Sequence, residues 1–577
     1  MKERHMRFTR RSMLGATALS VTGVALVGCS QDNGQGGGSG GSGDGEAIAA
    51  DSNDMNPKDR GELGEGGALR LSNNAFPANW NSFHVDGAEA NTSEMMALVY
   101  PSLIKADAKG EVSANPQYTK RIELTSEDPQ VVEVELNPDM KWSDGTPIDF
   151  KSIENVITIQ SGKDEDYQVA STEGYTLIDK VEQGDSELIA KITFKEKYAD
   201  WMGLISVMPD SLAESAKAYN EGWLKEPKVT AGPFKVGKID AANKTVLLEP
   251  DDNWWGDKPL LDQVLFTTIE DPSASATSFQ NGQLDALNTT VPAQYSVVKP
   301  MIGNGATLRK SAGPDWTHLT LNGSKGRPLS DQKVRQAFFR AIDREEVFLS
   351  VNSTMPYPKN PEQLNNRLLM TNQEGYKDNS GDYGKYDPDA AKKLLEEAGY
   401  KLEGEKAMKD GKQLELTYVY NDGSKTNEAV VPVVQEQLKA VGINMKVQKV
   451  PPTDLFSKYI GAQEFDITLF GWVGNPFLSS GDSIWKTKGG QNFGKIGNDA
   501  TDKVIDQAAV ETDDAKRLDL INQADAGLWE LAGTLPLWQS YDFYVQNDDL
   551  ANFGAKGFAD IDWTLVGYVK DSDKLKG

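Results

Sequence analysis

Helical and strand periodicity alternate between residues 430 and 469, and this alternation restricts the folds open to the chain. Apolar residues recur at helical spacing over 430–441, alternate over 443–447, suggest a short helix at 455–459 and alternate again over 465–469. Helix, strand, helix and strand in succession predict an α/β sheet. Shorter patterns predict strands at 132–136 and 188–194, and Asp387 before Pro388 predicts a capped helix that ends at Gly399.

The end of the strand predicted at 465–469 is a candidate binding position. Ligands of open α/β sheets bind just beyond the carboxyl ends of the strands. The segment that follows this strand, residues 471–476, combines two glycines and a proline with Trp472. A tryptophan in such a loop is often placed to contact a ligand, and a position in the core is the alternative. Trp472 is therefore the first candidate binding residue.

The composition excludes several classes of protein. The 577 residues are enough for about two to four domains. They carry 86 acidic and 60 basic side chains, and the formal net charge of -26 argues against nucleic acid as a partner. One cysteine and three histidines exclude zinc clusters, iron–sulfur centres and a disulfide framework. No P-loop or HExxH motif is present, so we expect a protein that is not an enzyme and uses no cofactor or metal.

Residues 1–28 are typical of an export signal. Basic residues precede the apolar run, and the arginine pair at 10–11 resembles a twin-arginine signal. The apolar run covers residues 13–27, which is shorter than the roughly 20 residues that span a bilayer. It ends in LVGCS at 26–30, which resembles a bacterial lipobox and predicts that Cys29 is acylated. The glycine-rich and acidic composition over 29–67 predicts a flexible tether to the membrane.

Eight short phrases occur in an order that is shared with a known family. They are KWSDGTPI at 141–148, TAGPF at 230–234, NWWGDKP at 253–259, NGQLD at 281–285, VRQA with AIDR over 334–344, residues 386–400, the loop at 471–472 and LPL at 535–537. Together they resemble the family 5 solute-binding lipoproteins of bacterial ABC importers, a family that takes peptides, oligopeptides or nickel. The resemblance covers about residues 69–560.

The resemblance implies an α/β, two-lobed periplasmic-binding-protein-like fold with a hinge between the lobes and an extra subdomain in lobe I. Lobe I would take residues 68–312, with the inserted subdomain at about 102–225. Lobe II would take 313–539, and residues 540–577 would return to lobe I. Lobe closure would capture an extracellular peptide and deliver it to permease subunits driven by separate ATPases. The expected form is a monomer anchored to the outer face of the cytoplasmic membrane.

The resemblance also implies binding residues. In similar oligopeptide-binding proteins an aspartate three residues after the tryptophan pairs with the peptide ammonium, whereas this chain has Asn475. Three explanations stay open: Asp86 holds the amine, the amino end of the ligand is blocked or neutral, or the register differs by one residue. Asn492 matches an asparagine that faces the peptide backbone, with an exposed loop turn as the alternative. Trp316 completes the candidate set.

The predicted function is therefore peptide capture for an ABC importer. The first alternative keeps the fold and changes the solute to glutathione, a modified peptide or another small molecule. A sensor or cell-envelope accessory without a transport role is the second, and a secreted hydrolase is the third. Arg335 and Asp343, in the helical phrases at 334–344, are expected to form an internal ion pair rather than a binding site.

Overall fold

The computed structural model describes residues 53–358 and 361–576. The predicted signal peptide, Cys29 and the first part of the predicted tether lie outside these residues. The tether prediction is wrong from residue 54 onward, because Asp54 pairs with Ala555 and Leu63 with Val569 through β-bridges. The composition of this segment could not show its order, because the partners lie at the other end of the chain.

The described residues form thirteen α-helices, and the one whose cap the sequence predicts begins at Pro388 as expected. The carboxylate of Asp387 accepts a hydrogen bond from the backbone N–H of Ala390 at the start of its helix. In chain order the helices are α1 (Ala90–Val99), α2 (Phe150–Gln160), α3 (Asp210–Ala213), α4 (Ala216–Glu221), α5 (Pro272–Gln280), α6 (Pro292–Val298), α7 (Gln332–Ala341), α8 (Arg344–Asn352), α9 (Pro388–Glu397), α10 (Lys425–Ala440), α11 (Asp482–Trp485), α12 (Asp499–Val510) and α13 (Asp514–Leu531). None of the helices in the described part of the chain combines the length and apolar character that crossing a bilayer requires.

The same residues form twenty-one strands, which include the predicted strands at 132–136 and 188–194. In chain order they are β1 (Ala68–Asn73), β2 (Ile104–Ala106), β3 (Val112–Ala114), β4 (Thr119–Glu127), β5 (Gln130–Leu136), β6 (Ile178–Gln183), β7 (Ile189–Phe194), β8 (Phe234–Asp240), β9 (Thr245–Pro250), β10 (Gln263–Thr268), β11 (Ala286–Asn288), β12 (Ala306–Leu321), β13 (Lys401–Glu403), β14 (Lys406–Lys409), β15 (Lys412–Gln413), β16 (Glu415–Asn421), β17 (Asn444–Val450), β18 (Ile467–Val473), β19 (Thr534–Asn547), β20 (Leu550–Ala551) and β21 (Gly567–Tyr568). The alternation predicted over 430–469 is confirmed as α10, β17, a single π-helical turn and β18.

Two lobes follow from how the sheets and hydrophobic clusters are distributed. In the first lobe a four-stranded sheet of order β1-β10-β9-β8 and a four-stranded sheet of order β4-β5-β7-β6 share one hydrophobic cluster. That cluster also takes in buried residues from 550 to 568. In the second lobe the buried side chains of helices α7 to α10 and strands β16 to β18 form a separate cluster. The second cluster draws on residues 319–538 only.

Two long strands connect the lobes. They belong to a six-stranded sheet of order β11-β19-β12-β18-β16-β17, in which β12 is antiparallel to both β18 and β19. Leu319 of β12 and Leu535 of β19 pack in the core of the second lobe. Leu308 and Phe543, farther along the same strands, pack in a third cluster with helices α5 and α6. The register of β12 on β19 shifts between residues 312 and 316, where the sheet passes between the lobes.

The ion pair expected between Arg335 and Asp343 is wrong. The guanidinium of Arg335 donates to the backbone carbonyls of Leu329 and Leu531. The carboxylate of Asp343 instead caps α8 by accepting from the backbone N–H groups of residues 345 and 346. Arg335 therefore satisfies backbone carbonyls, one of them at the end of α13, and Asp343 satisfies backbone N–H groups at the start of α8.

Candidate functional site

A cavity of about 520 Å³ lies between the two lobes. The first lobe contributes side chains from residues 82–88, 160–175 and 198–204. The second lobe contributes Trp316, Arg367 and Leu368 together with residues from 472–491. A volume of this size falls within the range of about 300–1,000 Å³ that is usual for small-molecule sites, and the position between lobes is a usual one. We take this cavity as the candidate binding site.

Two predicted tryptophans lie side by side in the wall of this cavity. Trp316 of β12 and Trp472 of β18 are directly opposite partners in the antiparallel pair. Trp316 is only 2% exposed and stacks on Trp485, with ring centroids 6.2 Å apart. Trp472 is half-buried and lies parallel to Phe493 at 6.3 Å. The second lobe therefore presents an aromatic surface that can cover apolar parts of a ligand.

Residues 473–475, which follow Trp472, line the cavity. This agrees with the expectation that ligands bind near the carboxyl end of this strand. Gly474 donates its backbone N–H to the carbonyl of Pro314 at 2.6 Å, and a Cβ added at Gly474 would lie 2.9 Å from that oxygen. The close approach of these two backbones therefore requires glycine. Asn475 lines the cavity, and its side-chain oxygen accepts from the backbone N–H of Phe477 at 2.8 Å. The oxygen that could receive a ligand amine thus already supports a turn.

Asn492 lies in a smaller cavity of about 30 Å³ that adjoins the first and shares Arg367, Trp472 and Trp485 with it. Its side-chain nitrogen donates to the carbonyls of Lys486 at 3.0 Å and Ile496 at 2.9 Å. Both donor positions of this amide therefore hold the loop over 486–496 in the structure. The side chain shapes the wall around the aromatic surface rather than pointing a free amide into the main cavity.

Asp86 lies beside the cavity and is not among the residues that line it. Ser82, Phe83 and Ala88 from the same segment do line it. Asp86 is half-buried, and its backbone N–H donates to Nδ1 of His84 at 3.0 Å. Burial lowers the pKa of His84, and the nearby Asp86 carboxylate opposes this change. The structure therefore brings together Trp316, Trp472 and Asn475, with Asn492 in the adjoining cavity and Asp86 outside the wall.

Arg367 is a wall residue that sequence reasoning does not identify. Its side chain forms an ion pair with Asp525 at 3.1 Å, and both side chains are fully buried. Nε donates to the carbonyl of Thr534 at 2.8 Å, and the guanidinium lies over the ring of Trp529 at 4.2 Å. Nη2 has no hydrogen-bond partner within the described residues. Its sequence neighbours give no signal, because every partner comes from residues 525–534.

Asp200 and Glu173 are acidic wall residues from the first lobe. Asp200 forms an ion pair with Arg517 of the second lobe and accepts from the backbone N–H of Ser479 at 2.7 Å. Burial, followed by the carboxylates of Asp482 and Asp200, raises the pKa of Glu173 to about 8, and Lys486 partly opposes this. The side of the cavity nearest α11 is therefore acidic and is crossed by an ion pair between lobes.

Comparison with known proteins identifies the family. The family model described as bacterial extracellular solute-binding proteins, family 5 middle, matches residues 113–494. The oligopeptide-binding protein OppA of Mycobacterium bovis is 34% identical over 529 residues, which cover 91% of this chain and 88% of the relative. The oligopeptide-binding protein AppA of Bacillus subtilis is 27% identical over 476 residues, covering 79% and 83%. The chain belongs to the family 5 bacterial extracellular solute-binding proteins.

Solved structures show the same fold. The periplasmic EDTA-binding protein EppA superposes with a TM-score of 0.81 at 24% identity, covering 91% of this chain and 99% of that protein. AppA from Bacillus subtilis in complex with a nonapeptide superposes with a TM-score of 0.72 at 21% identity, covering 88% and 100%. The predicted two-lobed periplasmic-binding-protein fold is confirmed. The family consists of extracytoplasmic solute-binding transport proteins rather than enzymes.

Proposed function

We propose that this protein captures oligopeptides outside the cytoplasmic membrane and delivers them to an ABC permease. The cavity between the lobes carries the proposal, because it combines an aromatic surface with a few polar groups in a volume of about 520 Å³. The relatives OppA and AppA are named oligopeptide-binding proteins, which supports the same substrate class. In this function the lobes close on the peptide, and the closed form docks on the permease.

The remaining details are part of the same proposal. Cys29 would carry the lipid that keeps the monomeric protein at the membrane surface after export through a twin-arginine-like signal. The residues between Cys29 and about 53 would form the tether, because their composition is rich in glycine and then in acidic residues. Trp316, Trp472, Asn475 and Asn492 would shape the peptide site, with Asp86 near its edge. Separate ATPases would supply the energy for transport.

The charges of the cavity favour a peptide over a polyanionic chelate. Glu173 and Asp200 both line it, and Arg367 is the cation among the described residues of its wall. A ligand that carries several carboxylates would lack cationic partners in this wall, because Arg367 is already paired with Asp525 and neither Glu173 nor Asp200 supplies a positive charge. A glutathione-like or modified peptide remains the second candidate, because Asn475 stands where similar proteins carry an aspartate.

Native mass spectrometry of the chain from residue 30, purified without the lipid anchor, tests the proposal. A retained ladder of peptide masses is the expected result, and it would also give the preferred peptide length. A single mass of a non-peptide compound would keep the fold and contradict the peptide function. If the protein is recovered without ligand, the spectra are repeated after a synthetic peptide pool is added. The absence of any peptide adduct at that stage would also contradict the proposal.

A further inference from the structure

Phe477 follows β18 of the second lobe, but its side chain packs in the first lobe. It is 4% exposed and forms one hydrophobic cluster with Ile104 of β2 and Val112 of β3. The other members of this cluster all lie between residues 104 and 122. One of them, Ile122 of β4, also packs against the main core of the first lobe. The ring of Phe477 is therefore seated in a site that the opposite lobe builds.

The side chain of Leu478 faces the other way. It packs on a cluster of the second lobe that contains Leu369, Ala508 and Ile521. Adjacent side chains of one segment thus contact opposite lobes, so the backbone at 477–478 runs along the interface between them. The segment keeps its attachment to the second lobe through Leu478 and reaches into the first lobe through Phe477.

The residues on either side of Phe477 also meet the first lobe. A Cβ added at Gly110, in the loop between β2 and β3, would contact Cγ of Pro476 at 3.4 Å. The backbone N–H of Ser479 donates to the carboxylate of Asp200 at 2.7 Å. The contact of Phe477 with the first lobe is therefore part of a continuous junction rather than an isolated side-chain contact.

The same segment forms part of the cavity wall. Trp472, Phe477 and residues 473–475 all line the cavity. The side-chain oxygen of Asn475 accepts from the backbone N–H of Phe477 at 2.8 Å, so one turn fixes both the amide in the cavity wall and the buried ring. Separation of the lobes would withdraw this ring from its site and expose apolar surface to water, which is unfavourable. The position of the cavity wall thus depends on a contact with the opposite lobe.

We propose that Phe477 is a positioning residue, a hydrophobic latch that holds the ligand-facing segment on the hairpin of β2 and β3 and favours the closed arrangement before any solute binds. The inference rests on the lobe closure of the proposed function and applies whichever solute is bound. Ligand affinity then depends on Phe477 through the fraction of closed molecules, because binding to an open molecule must also supply the free energy of closing. Val112 acts through the same fraction, although it is not among the described residues that line the cavity.

Hydrogen exchange followed by mass spectrometry tests the latch on the full-length protein in detergent micelles, after retained ligand has been removed by exhaustive dialysis. The reporter is the backbone N–H of Ala199, which donates to the carbonyl of Ala509 across the lobes and lies outside the segment around Phe477. In the ligand-free protein, fragments that contain Ala199 should exchange at least about threefold faster in Phe477→Ala than in wild type. Equal exchange in the two proteins would overturn the inference.

The affinity for a synthetic pool of random pentapeptides, measured by calorimetry, gives a second readout. Phe477→Ala should bind at least about tenfold more weakly than wild type, because burial of one phenylalanine side chain is worth that factor. Val112→Ala should lose less affinity, and the double variant should bind within about threefold of Phe477→Ala, because both changes remove the same contact. Fully additive losses would overturn the inference. If wild type binds no pentapeptide, the peptide function is contradicted and the exchange of Ala199 alone decides the latch.

Two further variants separate the latch from a general loss of stability. Phe477→Leu keeps an apolar side chain in the site and should stay within about threefold of wild type in affinity. Phe348→Ala is the matched control, because Phe348 is 8% exposed and packs in the core of the second lobe. It should lower the free energy of unfolding and leave both the affinity and the exchange of Ala199 unchanged. An equal loss of affinity in Phe348→Ala and Phe477→Ala would overturn the latch.

Val112→Ala keeps the test decisive if Phe477→Ala does not fold. It shortens the site from the side of the first lobe and leaves the whole cavity wall in place. Fragments that contain Ala199 should again exchange faster than in wild type. Wild-type exchange in a folded Val112→Ala would then overturn the inference.

Discussion

His318 is an uncharged histidine in the aromatic surface beside the cavity. None of its side chain is exposed, and it packs against Trp316, Phe470 and Trp472. Burial, and then the nearby positive charge of Arg367, lowers its pKa from 6.5 to about 3. Nδ1 lies 3.1 Å from the hydroxyl of Thr320. The folded protein therefore excludes a proton that the unfolded chain accepts below about pH 6.5.

The stability of the protein should fall as the pH is lowered because of His318. The unfolded state binds the proton between the two pKa values and the folded state does not, so acid favours unfolding. For this single group the free energy of unfolding should drop by about 2 kcal/mol between pH 7 and pH 5. Denaturant unfolding at both pH values should show a smaller drop for His318→Phe than for wild type. An equal drop in the two proteins would show that His318 does not control the pH dependence of stability between pH 7 and pH 5.

Residues of this site can be predicted from the sequence when they lie next to a recognisable local pattern, such as the end of a strand. Trp472 and Asn475 follow a predicted strand, and the structure places both in the cavity wall. Arg367 and Asp200 carry no such mark, because their partners come from distant segments such as 479 and 517–534. The contacts of Asp200 with residues 479 and 517 join different lobes, and those of Arg367 join segments more than 150 residues apart.

Helix α9 shows how much a cap can contribute within one element. Asp387 accepts from the backbone N–H of Ala390 and pairs with the largely buried Arg340 at 2.7 Å. Asp387→Ala should lower the free energy of unfolding by about 1–2 kcal/mol, because a cap and an ion-pair partner are both lost. Asp389→Ala is the matched control, since Asp389 is in the first turn of the same helix and 95% exposed. Thermal unfolding that gives equal shifts for both variants would contradict this account.

Helices and strands with strong hydrophobic periodicity can be predicted from the sequence, but the elements that pack beside them cannot. The helix predicted from 430 begins at 425, because residues 425–428 are all polar and add nothing to the apolar pattern of α10. Alternation predicts Val447 on the buried face of β17, but it is 40% exposed. The reason is sheet order, because β17 is the edge of the six-stranded sheet. Local periodicity identifies a strand without showing which strands will flank it.

At the scale of the whole molecule, Asp200 and Arg517 join the first lobe to the second. The Asp200 side chain is 2% exposed and that of Arg517 is 15% exposed. The backbone N–H of Ala199 also donates to the carbonyl of Ala509 at 2.8 Å. These contacts join α12 and α13 of the second lobe to the first lobe. If the lobes open and close as proposed, these contacts would favour the arrangement in which the lobes touch.

Asp200→Asn should therefore weaken peptide binding without unfolding either lobe. Breaking a buried ion pair costs about 3–5 kcal/mol, and here the loss falls on the closed state. Peptide affinity should fall at least about tenfold, and X-ray scattering should show less compaction with saturating peptide than for wild type.

Asp519→Asn serves as the control, because its pair with Lys377 is exposed and such pairs contribute about 0–1 kcal/mol. Asp519→Asn should bind and compact like wild type. Unchanged affinity and compaction in Asp200→Asn would show that this pair does not hold the lobes together.

The two ends of the described chain complete the first lobe together. Residues 54 and 63 pair with 555 and 569, and buried residues from 550 to 568 belong to the first core. During synthesis the second lobe, which draws on residues 319–538, is complete before the first. A polypeptide that terminates early therefore leaves the core of the first lobe open, with apolar side chains accessible to proteases. Residues 550–569 thus decide whether a newly made chain can complete its first lobe or stays open to proteolysis.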